Sequence, residues 1–162
     1  MASARSRWLL AAAAVLGGLI AGLDVDRMIV AMPAWHMVGP AAWAEFSRRA
    51  DLGSGLFLYP VEAVGGFAFL LAAAMSLRLE NGRWSRTPWP LWAAIMASLA
   101  GLLATVMAAP IMLGIRNAAE PAALQAAMSG FWFWGDVRGA CQLIAFIAAV
   151  AALSLVAGPA RS

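Results

Sequence analysis

The chain has almost none of the residues that enzymes most often use for covalent or metal chemistry. A single cysteine, Cys141, excludes a Cys-x-x-Cys relay within one chain, and a single histidine, His36, excludes a bis-histidine haem. There is no glycine-rich phosphate loop, and one histidine cannot complete a Ser/His/Asp set. Lysine is missing altogether, so every basic side chain is an arginine. Charge of either sign is scarce: 12% of the 162 residues are charged, well below the share in a soluble domain. No repeat or low-complexity tail appears, and nothing supports a nucleic-acid partner.

What fills the sequence instead is apolar. Hydrophobic residues make up 64% of the chain. A membrane-spanning helix needs roughly 20 such residues in succession. Four stretches qualify, 7–30, 52–77, 88–112 and 130–156, and together they use nearly all of the chain. None has the alternation of a transmembrane barrel strand. The expected fold is therefore all-α, a single-domain integral membrane four-helix bundle with the lipid bilayer as its first partner. The opening "MASARSRWLLAAAAVLGGLIAGL" shares a basic start and an apolar run with cleaved signals. The run continues past "DVDR" into "MIVAM" without a small-x-small site, so a retained helix is expected.

Arginine placement sets the expected orientation. Arg5, Arg7, Arg78, Arg83, Arg86 and Arg161 fall on one side, while Arg48, Arg49 and Arg116 on the other are offset by Glu45, Asp51 and Glu120. The positive-inside bias then puts both termini in the cytoplasm of a cell inner (plasma) membrane. The stretches "PAWHMVGPAAWAEFSRR" and "GIRNAAEPAALQAAMS" become outer loops.

Polar residues inside the helices crowd toward that outer side. Asp24, Asp26 and Arg27 close the first helix, Asp51, Tyr59 and Glu62 follow the start of the second, and Asp136 and Arg138 lie early in the fourth. The third helix offers only Ser98 and Thr105 and is expected to pack or face lipid. At 1.5 Å rise per residue, Glu62 should lie about 15 Å below its helix start and Arg138 about 10 Å below its own, so their side chains are expected to meet. Asp136 and Arg138, two positions apart, point to different faces, and Arg138 shares its face with Trp134, Cys141 and Gln142. Intramembrane ionisable groups cost about 2.5–3.5 kcal/mol each to insert at a helix centre, which makes them candidate site residues. The expected pocket is thus lined by Glu62, Tyr59, Asp136 and Arg138, with Asp24 or Asp26 from the first helix, and opens to the outer surface. Asp24, Gln142, Trp134, and Trp35 with His36 on a lid loop are its expected ligand contacts. The plainer alternative is a buried Arg138–Glu62 pair that only fixes helix register.

Other patterns read as packing. Gly18 and Gly22 form a Gly-x-x-x-Gly pair suited to close helix approach. Met28, Met32 and His36 have the spacing of a soft-metal face, but Pro33 interrupts it, so no metal is expected. Cys141 reads as a small buried hydrophobe. Trp35, Trp43, Trp132 and Trp134 suit an interfacial belt.

The order of these features resembles the small four-helix membrane proteins of the anthrone-oxygenase-like family. The likeness rests on an arginine-preceded first helix with a polar end, the "MPAWHMVGPAAWAEFSRRADLG" segment, a third helix closing in "AAP", and "WGDVR" from Trp134 to Arg138. The chain differs from the family pattern at Met112, where an asparagine is usual, and at Asp136, where His or Asn is usual. The resemblance implies an oxygenase that turns a hydrophobic aromatic substrate, an anthrone, into its quinone with molecular oxygen and no cofactor. Glu62 or Asp136 would be the base, Arg138 the anion stabiliser, Tyr59 a hydrogen-bond donor and Trp134 a stacking wall. The alternative function is a non-catalytic accessory subunit of a larger membrane complex. Conduction of a small solute ranks last, since no polar residues continue the path through the inner halves of the helices.

Overall fold

The computed structural model describes residues 2–84 and 87–157. Arg86 and Arg161, counted above among the cytoplasmic arginines, lie outside them. The first helix, α1 (Ala4–Asp26), starts on Ser3, whose Oγ accepts the Ser6 N–H at 3.2 Å and so satisfies one of the free donors of the first turn. It runs through a wide π turn, Arg27–Ala31, into α2 (Met32–Val38). Gly39, at φ +96, turns the chain into α3 (Pro40–Arg49). A second π turn, Ala50–Ser54, leads into α4 (Gly55–Asn81), and Gly53 within it has left helical geometry at φ −94, ψ −115. The last two helices are α5 (Trp89–Gly114) and α6 (Pro121–Ala157).

Four helical segments, Ala4–Val38, Pro40–Asn81, Trp89–Gly114 and Pro121–Ala157, are long and apolar enough to cross a membrane. No strand occurs among the described residues. The protein is an all-α, multi-pass membrane four-helix bundle, as its composition requires. Lipid would cover large apolar side chains such as Val15, Leu19, Phe57, Leu103, Val106 and Ile147, which point outward over the length of the bundle.

Two expectations fail at the end of the bundle away from the termini. The stretch expected to be an outer loop is helical: Pro40 falls in the first turn of α3, where the missing N–H costs no hydrogen bond, and Pro33 follows directly on the π turn inside the helical segment Ala4–Val38. Neither breaks the helix it sits in. The fourth spanning helix begins at Pro121 and runs 37 residues, about 55 Å at 1.5 Å per residue, against a hydrocarbon core of roughly 30 Å. Its surplus first turns, with Leu124 and Met128, pack against Trp43 and Ala44 of α3. Arg48 fastens this cap by donating from Nε to the Ile115 carbonyl at 2.9 Å and from Nη2 to that of Ala118 at 2.5 Å. Both lie just past the end of α5, where free carbonyls favour a cation.

Helix α6 lies along α5 and α1, and α1 also lies along α4, but α4 and α5 touch only slightly. Near the termini the core is built from small or compact residues, among them Leu10, Ala13, Ala73, Leu91, Ala94 and Ala152. Gly18 serves this close approach: a Cβ there would come within 3.0 Å of the Phe146 ring on α6, whereas Gly22 meets open space. The same end carries a polar knot. Ser6 Oγ donates to Glu80 at 2.6 Å and lies 2.8 Å from Ser76 Oγ, and Ser3 joins through its N–H and hydroxyl.

Candidate functional site

Both π turns place an ionisable residue at the same spot. Arg27 opens the first, Asp51 lies in the second, and Arg27 Nη2 donates to Asp51 Oδ1 at 2.5 Å. A π turn widens the helix by one residue per turn and tips its side chains off the regular stripe, a distortion that recurs at functional sites. Here it carries Arg27 inward, beside two rings: its guanidinium carbon is 5.7 Å from the centre of Tyr59 and 5.6 Å from that of Phe131. The two cation–π contacts and the Asp51 pair together restrain the fork.

One turn earlier on α1, Asp24 is almost fully buried, and its Oδ1 accepts from Arg138 Nη2 at 2.5 Å and Nε at 3.2 Å. This corrects the expected pairing, since Arg138 meets Asp24 and not Glu62. Depth along the axis allowed either partner; the rotation of α1 about its own axis decided. Gly139 makes the approach possible. A Cβ at that position would stand 3.2 Å from the Asp24 Cβ and closer still to the Met28 sulfur. Asp24 Oδ2 is sealed and has no partner among the described residues.

The two ion pairs border two chambers. The outer chamber, about 470 Å³, lies under the cap, with Trp35, Trp43, Phe46 and the buried Ser47 on its walls. The inner chamber, about 220 Å³, lies in the loose seam between α4 and α5, with Asp24, Arg138, Pro60, Thr105, Met112 and Phe131 around it. Its rim includes Leu56, Val64 and Leu113, which are exposed on the apolar belt, so it opens sideways toward lipid. Leu23, Arg27, Asp51 and Tyr59 line both and form the partition between them.

The sequence-derived candidates distribute unevenly over this site. Tyr59 fronts both chambers, Asp24 and Arg138 front the inner one, and Trp35, tilted on Phe46 at 5.0 Å, fronts the outer one. His36 is exposed and stacks on Trp132 at 4.2 Å, so of the pair assigned to a lid only Trp35 reaches a chamber, and it does so from a helix. Trp134 lines neither chamber and meets Phe133 edge to face at 5.2 Å. Asp136 borders a void of about 10 Å³, room for one water, together with Asp24 and Met28. Glu62 and Gln142 border another void of that size with Ser98, and Gln142 Nε2 is buried there without a partner. The third spanning helix, expected only to pack, supplies Thr105, Ala108 and Met112 to the inner wall.

Arg27, Asp51, Phe131 and Gly139 were not among the candidates. Arg27 and Asp51 looked like charges at helix ends, and nothing in the sequence marks a π turn. Among the described residues no three His, Cys, Asp or Glu side chains come close enough together to hold a metal ion. Fold and site together define the class: a multi-pass membrane bundle with a lipid-facing chamber bordered by two arginine–aspartate pairs. The chain matches no known protein family, no functionally characterised protein and no solved structure.

Proposed function

We propose that this protein binds a hydrophobic aromatic molecule in the inner chamber and acts on it as an anthrone-type oxygenase without a cofactor. The observation that carries the reading is the chamber itself, an apolar cavity that opens to lipid and has carboxylates and guanidiniums on one wall. Asp51 suits the base. Its Oδ1 takes the Arg27 bond, while Oδ2 has no protein donor among the described residues and, unlike Asp24 Oδ2, is not sealed. In this role it removes the acidic ring C–H proton, and a guanidinium steadies the anion that results. The carbanion adds to molecular oxygen, the resulting peroxide anion takes the proton back from Asp51 to become a hydroperoxide, and this loses one water to leave the second carbonyl of the quinone. Glu62, set against its own small void, takes no part in this version of the chemistry.

The proposed setting is the inner (plasma) membrane with both termini in the cytoplasm. Support comes from Arg5, Arg7, Arg78 and Arg83 at the terminal end. At the other end Arg49 pairs with Glu45, and Arg48 is engaged by backbone carbonyls.

The test is conversion of anthrone to anthraquinone by the purified protein in nanodiscs, with oxygen uptake followed in parallel. The expected result is a rate above that of empty nanodiscs, falling at least about a hundredfold in Asp51→Asn. A rate equal to empty nanodiscs, with no aromatic molecule co-purifying and the chain recovered in a larger complex, favours the accessory-subunit reading instead.

A further inference from the structure

We infer that Arg27 is the anchor for the ligand, and that the ligand carries a neutral hydrogen-bond-accepting oxygen on its aromatic ring, a carbonyl or phenol, held at the partition between the two chambers. The inference rests on the proposed aromatic site and names the polar group that site recognises.

Three observations converge on Arg27. A guanidinium has five N–H donors. Asp51 takes one bond from Nη2, and the Nε and Nη1 donors meet no protein acceptor among the described residues, yet they are not sealed as Asp24 Oδ2 is. The second observation is position: Arg27 lines both chambers, whereas Arg138 lines only the inner one and spends two donors on a single oxygen of Asp24. The third is rigidity. Tyr59 and Phe131 each make a cation–π contact with the guanidinium and Asp51 ties one end, so Arg27 is restrained and little entropy is lost when an acceptor arrives. Charge points the same way, because Arg27 and Arg138 balance Asp24 and Asp51 around the inner chamber and leave no net charge to attract an ion. What Arg27 lacks is an acceptor for its remaining donors.

Size agrees with this. Ligand pockets commonly span about 300–1,000 Å³. The inner chamber, at about 220 Å³, is below that range and the outer, at about 470 Å³, is within it. A ring system of two or three fused rings in the inner chamber therefore fits best if it reaches the partition, with its oxygen on Arg27.

The experiment uses the full chain in nanodiscs of a zwitterionic lipid. Saturable quenching of tryptophan fluorescence is titrated with 1,4-naphthoquinone, and naphthalene, the same ring system without oxygen, is the competitor. The expected result is that the quinone binds at least about tenfold tighter than naphthalene. Arg27→Gln should abolish that preference, and Arg49→Gln, an exposed arginine that lines neither chamber, should keep it. Since Arg27→Gln strands Asp51, the double variant Arg27→Gln/Asp51→Asn, which leaves a neutral pair, is measured beside it and should behave alike. Equal affinity of the wild type for both probes overturns the inference and leaves the aromatic site standing. So does a preference that survives in the double variant. If neither probe quenches saturably, the aromatic site itself fails, and the inference with it.

Discussion

Near the termini the bundle closes over Leu10, Ala13, Ala73, Leu91 and Ala152, all 4% exposed or less, and its polar atoms, those of Ser6, Ser76 and Glu80, hydrogen-bond to one another. At the other end the same four helices carry wide turns, two ion pairs, a slack seam between α4 and α5, and open space. The difference lies in how each end meets the cost of burying polar groups. Hydroxyls near the termini satisfy each other over short distances between close helices, which permits small residues and a dry core. A guanidinium needs more room and more partners than a hydroxyl. Helices that hold two of them side by side cannot close completely, and the cavity follows from the choice of glue.

The comparison is tested hardest at Asp24. Asp24→Leu leaves Arg138 as an unpaired buried charge, and removing one partner of such a pair costs about 3–5 kcal/mol, so thermal unfolding in detergent should show a large loss. The double variant Asp24→Leu/Arg138→Met should regain most of it. If the single variant melts like wild type, the ion pair is not what holds this end together.

A smaller effect is expected at the helix approach that admits the pair. Gly139→Ala pushes a methyl group into Met28 and Asp24, and overpacking of this kind costs about 1–3 kcal/mol. Gly22→Ala, which meets open space, should stay within about 0.5 kcal/mol of wild type. Equal melting of the two variants would remove the reason given for Gly139.

The smallest change belongs to the terminal end. Ser76→Ala removes one partner of the buried Ser6 hydroxyl, which keeps its bond to Glu80, so the loss should be about 1 kcal/mol. Naphthoquinone titration of this variant should match wild type. A change in ligand affinity here would show that the two ends are coupled, and that the contrast between them is one of degree.

Sequence reading reached the four helices because lipid tolerates only long apolar segments whose backbone is satisfied internally, and that demand is written as composition. It also located the polar residues toward one end, since rise per residue converts directly into depth. Partner identity was harder. Glu62 and Asp24 stand at depths Arg138 could reach, and the choice between them depends on helix rotation, which changes wherever a turn widens. Arg27 was overlooked for the same reason: on a regular helix it is a charge at an end, and only the π turn brings it to Tyr59 and Phe131. The helical cap was missed because Pro40 can stop or start a helix, and because a proline such as Pro33 reads as a break although the helix here runs through it.

The first wide turn has one more consequence. A π turn is an α-helix that has accepted a single inserted residue, so deleting one residue from Arg27–Ala31 would leave a continuous, well-bonded helix. Everything beyond the deletion would rotate by about 100° relative to everything before it. Trp35 would then face a different neighbour with no change in its chemistry. At this end of the molecule, chain length is as specific an instruction as residue identity, and a one-residue change in that turn would rewrite the chamber more thoroughly than most substitutions in its walls.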